Sequence, residues 1–172
     1  MLTLAYKYRS ELIDLYKEKI VENRYFFERN SNIIEYDGYI DILSDDKECL
    51  QYVSIDNNKK VLGYFEAYKC DNSISNIRIL NLEEKTSFIF KKDFKEFLNS
   101  LYNNDGLYKL SWFVIIGNKT EKMYDKICLK NEGKIIGIQE KHSLLSDGKY
   151  YDVKLYEVFT RKGKLLKKYN LL

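Results

Sequence analysis

Proline is absent from this 172-residue chain, and histidine and tryptophan occur once each, as His142 and Trp112. One imidazole cannot furnish a site that needs two, which excludes the HExxH zinc centre and His-rich metal clusters; no metal is expected. The three cysteines, Cys49, Cys70 and Cys128, are odd in number and far apart in sequence. They offer neither a disulfide framework nor a CxxC knuckle, and a reducing compartment suits them. No apolar run reaches the ~18 residues a membrane span needs, and the N-terminus lacks the basic-then-apolar layout of a signal peptide, so a cytoplasmic protein without membrane partners is expected. Charge of one sign is scarce too. The 29 Lys and Arg against 26 Asp and Glu leave +3, too small an excess for a polybasic field, so nucleic acid is not an expected partner.

What remains is globular. A hydrophobic content of 45% over 172 residues is enough to build a sizeable core, and no linker, repeat or low-complexity block divides the chain, so one domain spanning 1–172 is expected. Sixteen tyrosines help to raise the aromatic share to 15%; tyrosine-rich strands line clefts or pack sheets.

The hydrophobic pattern alternates between strand and helix signals. Residues 2–7 suggest a short strand. Leu12, Ile13, Leu15, Tyr16 and Ile20 recur at helical spacing, and 21–28 continue it or add a second helical piece. From 29 to 46 the pattern dissolves into a long connection with room for one short strand. Residues 49–56, 61–70 and 74–82, separated by Asn57-Asn58-Lys59-Lys60 and Asp71-Asn72-Ser73, predict a three-stranded antiparallel meander. Phe94, Phe97, Leu98 and Leu101 predict a helix over 91–102. Residues 107–116 are apolar on both faces, as in a central strand covered on both sides. A helix over 119–130 follows, with Asn118 and Glu121 at the N-cap and N3 spacing of a capping box. Strands over 134–145 and 150–160, joined through Asp147-Gly148, close the chain as a hairpin, and the basic tail 161–172 reads as a frayed helix or arm. This order predicts an α+β fold: a mixed, mostly antiparallel central sheet flanked by helices.

That order, together with Trp112-Phe113-Val114-Ile115-Ile116-Gly117-Asn118, Tyr124 six residues beyond the Asn, Gly133-Lys134-Ile135-Ile136-Gly137, residues 145–152 and Tyr156-Glu157-Val158, resembles the GNAT N-acetyltransferases. Phe90-Lys91-Lys92-Asp93-Phe94 is similar to a helix start in a clostridial and prophage-associated GNAT-like group. The resemblance covers about the last half of the chain. It implies acetyl-CoA bound where two neighbouring strands splay apart, its pyrophosphate held by backbone amides at a helix N-terminus. It also implies transfer of the acetyl group to a primary amine, whose identity the sequence does not reveal. On this resemblance Tyr124 is the general acid for the departing thiolate, Asn118 a cofactor contact, and the strand around Ile77, Ile79 and Leu80 the ladder for the pantetheine arm. Glu66 is a carboxylate able to take the amine proton; alternatively it stands on the solvent face of its strand. Tyr124 has a packing role open to it as well, beside Ile127 and Cys128, and Asn118 a capping role.

The sequence departs from the family where the pyrophosphate should sit. Residues 83–92 contain no glycine and begin with Glu83 and Glu84, which would repel a phosphate that they faced. Lys91 and Lys92 are the candidate replacements. If they do not suffice, the expected alternative is a GNAT-fold binding module without catalysis.

Overall fold

The computed structural model describes residues 1–22, 48–145 and 147–170. β1 (Leu2–Leu4) runs into a 3-10 turn (Ala5–Tyr8) and α1 (Arg9–Glu22). The meander is β2 (Cys49–Ile55), β3 (Val61–Cys70) and β4 (Ser73–Asn81). Then come α2 (Phe88–Tyr102), β5 (Lys109–Ile115), α3 (Glu121–Lys130), β6 (Lys134–Leu144), β7 (Tyr150–Phe159) and α4 (Arg161–Lys168). The expected connection over 29–46, and the helical piece from residue 23 onward, lie outside the described residues. Among the described residues no helix is long and apolar enough to cross a membrane.

The seven strands of the described residues join one sheet in the order β1-β2-β3-β4-β5-β7-β6. Every neighbouring pair is antiparallel except β4 and β5. This is the expected α+β architecture. The closing hairpin is not simply appended to β5: β7 pairs with β5 along its length and pushes β6 out to the sheet edge.

Two apolar layers hold the sheet. On one face α2 presents Phe90, Phe94, Phe97 and Leu101, spaced at helical intervals, to Phe65, Ala67 and Ile77. Trp112, Tyr156 and Val158 continue the same layer toward Tyr124 and Cys128 of α3. On the other face Ala5 and Leu12 close over Val53, Val61, Tyr64 and Leu80. β3 is therefore buried from Val61 to Ala67, and it needs glycine at position 63, where a Cβ would stand 2.2 Å from the Phe90 ring. The first turn of α2 thus lies directly on β3. α2 begins three residues earlier than the spacing predicted, because Ser87 caps it: its Oγ accepts the Phe90 N–H at 3.2 Å.

The buried face of α2 also carries a charge. Asp93 is 2% exposed and accepts the Ser54 hydroxyl at 2.6 Å, while the α-amino group of Met1 lies 2.7 Å from the same oxygen. A buried carboxylate is tolerated only with such partners.

The tail is a docked helix, not a frayed arm. Thr160 caps α4, accepting the Gly163 N–H at 3.1 Å and donating to the Leu107 carbonyl at 2.6 Å. A Cβ at Gly163 would fall 1.9 Å from the Tyr108 carbonyl oxygen, so only glycine lets α4 lie this close to the segment entering β5.

Candidate active site

β4 and β5 run parallel and pair at two positions only, Ser73 with Lys109 and Ile74 with Leu110. β4 continues to Asn81 with its other edge paired to β3, and β5 continues to Ile115 paired to β7. Beyond Ile74 the two strands part, leaving facing main-chain edges without a shared ladder. Unpaired peptide groups of this kind accept an extended ligand as a strand accepts a neighbour. α2 departs from the end of β4 and α3 from the end of β5, so both helices begin at the open end of the slot.

The slot has different chemistry on its two faces. On the α2 and α3 face lie Ile77, Ile79, Trp112 and Tyr124. Tyr124 is 6% exposed; its ring is 6.0 Å from that of Trp112 and 6.1 Å from that of Tyr156, and Trp112 stacks on Tyr156 at 5.4 Å. Among the described residues the Trp112 Nε1–H is buried without a hydrogen-bond acceptor, a state that costs about 1–3 kcal/mol in a closed core. A ligand that brings an oxygen acceptor into the slot would relieve it, so this orphan donor fits the pantetheine arm of a coenzyme A thioester. Leu80 packs its side chain into the opposite layer, and only its main chain is available to the slot.

On that opposite face Glu66 pairs in register with Arg78. Glu66 is 1% exposed, which overturns its placement on a solvent face. Its Oε2 accepts the Tyr64 hydroxyl and, at 3.3 Å, Gln51 Nε2; its Oε1 lies 3.5 Å from Arg78 Nη1. Burial, reinforced by the Glu66 charge, holds the phenols of Tyr64 and Tyr68 far above their ordinary range. Both phenols therefore remain proton donors at neutral pH.

α3 is fixed to β7 by charge. Lys154 Nζ lies 2.5 Å from Glu121 Oε1 and 3.2 Å from Asp125 Oδ1, and Asp125 Oδ1 also accepts the Tyr156 hydroxyl at 2.7 Å. Hydrogen bonds from Lys154 and from the Gly117 N–H hold the Glu121 carboxyl below its usual value. Burial works to raise Asp125, and the hydrogen bonds from Tyr156 and Lys154 outweigh it. Burial and the nearby Asp125 push the Cys128 thiol up, as suits a packing residue rather than a nucleophile.

The expected capping box is displaced. α3 starts at Glu121, not at 119; Asn118 Oδ1 accepts the Thr120 N–H at 3.0 Å and hydroxyl at 2.9 Å, and Glu121 Oε2 reaches past Asn118 to the Gly117 N–H at 2.9 Å. Asn118 therefore shapes the turn between β5 and α3 at the mouth of the slot.

At the start of α2 the chain supplies its own anion. Glu83 Oε2 accepts the Ser87 N–H at 3.3 Å, and Asn81 Nδ2 braces the loop through the Glu83 carbonyl at 3.1 Å and Thr86 Oγ1 at 3.2 Å. Lys91 and Lys92 are exposed on the first helical turns, outside the core. The Trp112 donor, the bracing by Asn81 and the Arg78 partner of Glu66 carry no motif in the sequence; they become visible only once the strands are paired.

No protein-family model and no curated protein matches the chain. Solved structures do. The spermidine/spermine N-acetyltransferase of Vibrio cholerae, in a complex with manganese ions, overlays with a TM-score of 0.57 at 18% identity, over 92% of this chain and 78% of that one. The spermidine N-acetyltransferase of the same organism, in complex with CoA and spermine, gives 0.56 at 17% identity over 90% and 77%. The ribosomal-protein-S5-alanine acetyltransferase of Vibrio fischeri gives 0.53 at 14% identity over 66% and 63%. These likenesses establish the fold. It is the GNAT-like α+β fold, with β4 and β5 as the pair that parts.

Proposed function

We propose that the protein is a GNAT-type acyltransferase that moves an acetyl group from acetyl-CoA to a primary amine, acting as one domain over residues 1–172 in the cytoplasm. The observation that carries this reading is the parting of parallel β4 and β5 after two paired residues, with both helices launched from the open end. Bound CoA in a fold neighbour supports it, and so does the resemblance of residues 90–94 to the clostridial and prophage-associated group. When bound, acetyl-CoA would supply an activated acyl group.

The chain's own residues then divide the work. The main-chain edge of β4 around Ile77, Ile79 and Leu80 binds the extended arm, and Lys91 and Lys92 balance the phosphate charge. Asn118 sets the turn beside the cofactor. Tyr124 holds a phenolic proton for the sulfur, and Glu66, on the opposite face, takes the proton from the amine. Cofactor and acceptor would thus approach from the two sides of the sheet and meet in the slot.

The Glu83 carboxylate on the Ser87 N–H favours a second reading, in which the same fold binds a partner without acyl transfer. Calorimetry with acetyl-CoA at low salt separates them. Binding that weakens with added salt, and weakens further in a Lys91→Ala, Lys92→Ala double variant, supports the acyltransferase; no heat at millimolar acetyl-CoA overturns it. Thiol release with a panel of amines then identifies the acceptor.

A further inference from the structure

Trp112 sits two residues past Leu110, the last residue of β5 that pairs with β4. Its side chain belongs to the layer that contains Tyr124, and it is 4% exposed. Its ring lies nearly parallel to that of Tyr156, with 13° between the planes, and tilts 55° against Tyr124. Two aromatic neighbours fix the indole plane, so the ring cannot swing out to find water for its N–H. Phenylalanine would keep an aromatic ring in this layer, though a smaller one, without burying an unpaired donor. With no acceptor among the described residues, an indole here makes physical sense if a ligand brings one.

The acceptor is constrained by its surroundings. A neutral donor set among aromatic rings suits a neutral oxygen, whereas phosphate charge belongs with Lys91 and Lys92 outside the core. Among the neutral oxygens of an acyl-coenzyme A, the one next to the sulfur is the thioester carbonyl. Tyr124 is the residue assigned to that sulfur, and Trp112 is its ring neighbour at 6.0 Å. We propose that the Trp112 indole N–H donates a hydrogen bond to the carbonyl oxygen of the acyl thioester, making Trp112 a binding residue that distinguishes acyl-CoA from free CoA. This rests on the acyltransferase reading given above. A donor on that oxygen also favours reaction, because negative charge gathers there as the amine adds.

The chain has one tryptophan, so a ¹⁵N-labelled sample gives one indole N–H resonance to follow. Acetyl-CoA is titrated against its S-ethyl thioether analogue, which keeps the nucleotide and pantetheine and lacks the thioester oxygen. The expected result is a downfield shift of the indole proton with acetyl-CoA and a resonance near its free position with the thioether. In Trp112→Phe, the preference for acetyl-CoA over the thioether is expected to fall by about 3- to 10-fold, the effect of one neutral hydrogen bond. Backbone resonances that move with acetyl-CoA while the indole proton stays still overturn the proposal and leave the acyltransferase reading intact. Equal indole shifts with both ligands, or an unchanged preference in a folded Trp112→Phe, overturn it likewise. If acetyl-CoA moves no resonance at all, the acyltransferase reading falls and this proposal falls with it. The wild-type titration decides the matter even if the variant does not fold.

Discussion

Asp125 on α3 accepts the phenolic hydrogen of Tyr156 on β7 across 2.7 Å, and the residue beside it on the helix is Tyr124. The proposed general acid is therefore held at a fixed height above the slot by a bond in which it takes no part. Tyr156→Phe keeps the stack on Trp112 and removes only this hydroxyl. A stability loss of about 1–1.5 kcal/mol in urea titration is expected, together with an upward move of the Asp125 carboxyl followed by NMR. A carboxyl that does not move would mean that Lys154 alone sets it.

The same cluster gives a pH dependence. Glu121 and Asp125 are both held below their ordinary values in the folded chain, so the unfolded chain binds more protons than the native one as the solution is acidified. Their contribution is complete above the ordinary carboxylate range, about 4, and is lost as pH falls through the folded values. The unfolding midpoint should drop below pH ~4, and a Glu121→Gln, Asp125→Asn double variant should flatten that drop. An identical acid limb in the variant would place the acid sensitivity elsewhere.

Tyr124→Phe tests the chemistry. A proton donor that serves only the departing thiolate affects turnover, so kcat should fall by ~10²- to 10⁴-fold while acetyl-CoA affinity, read by calorimetry, stays nearly unchanged. Full turnover in the variant would reduce Tyr124 to a packing residue.

Glu83→Gln addresses the self-supplied anion at α2. Removing its charge and weakening its hold on the Ser87 N–H should tighten acetyl-CoA binding by about 2- to 10-fold at low salt, with the gain shrinking as salt is added. Weaker binding would make Glu83 a brace the loop depends on.

Gly163→Ala should loosen α4. A methyl 1.9 Å from the Tyr108 carbonyl has nowhere to go, and a loss of more than about 2 kcal/mol is expected from denaturant titration. Lys164→Ala removes an ion pair with a largely exposed Glu132 and a contact of the ammonium with the Tyr102 ring, and should cost far less than the Gly163 change. Similar losses in both would mean that α4 is held by charge.

Patterns that repeat locally were legible before the fold was known. Phe94, Phe97, Leu98 and Leu101 declared most of α2 by spacing, the turn residues at 57–60 and 71–73 divided the meander, and the largely apolar stretch over 107–116 marked a central strand. What was not legible depends on closure in three dimensions. Nothing in Tyr150–Phe159 states that it will lie between β5 and β6, because edge and centre are assigned by pairing. The alternation of β3 placed Glu66 on one face without saying that the face would be covered. The helix of the tail was among the readings of 161–172, but its docking escaped notice because it rests on a glycine and a threonine touching main chain, contacts that leave no hydrophobic stripe. Asp93 breaks the apolar face of α2 because Ser54 comes to it from another strand. At α3 the capping pattern was real but landed elsewhere, since Asn118 turned its side chain to Thr120.

The slot between β4 and β5 has walls of peptide groups, and peptide groups are the same in every residue but proline. Side chains on both strands can differ widely while the ladder edge stays the same, and the overlay with the Vibrio cholerae structure holds at 18% identity. Drift is cheap there in one direction only. A substitution that zipped β4 to β5 beyond Ile74 would add main-chain hydrogen bonds, stabilise the sheet and abolish the opening. If the proposed activity uses this slot, a sturdier sheet and a working one pull against each other at this seam, and variants recovered from a thermostability screen should be checked there first.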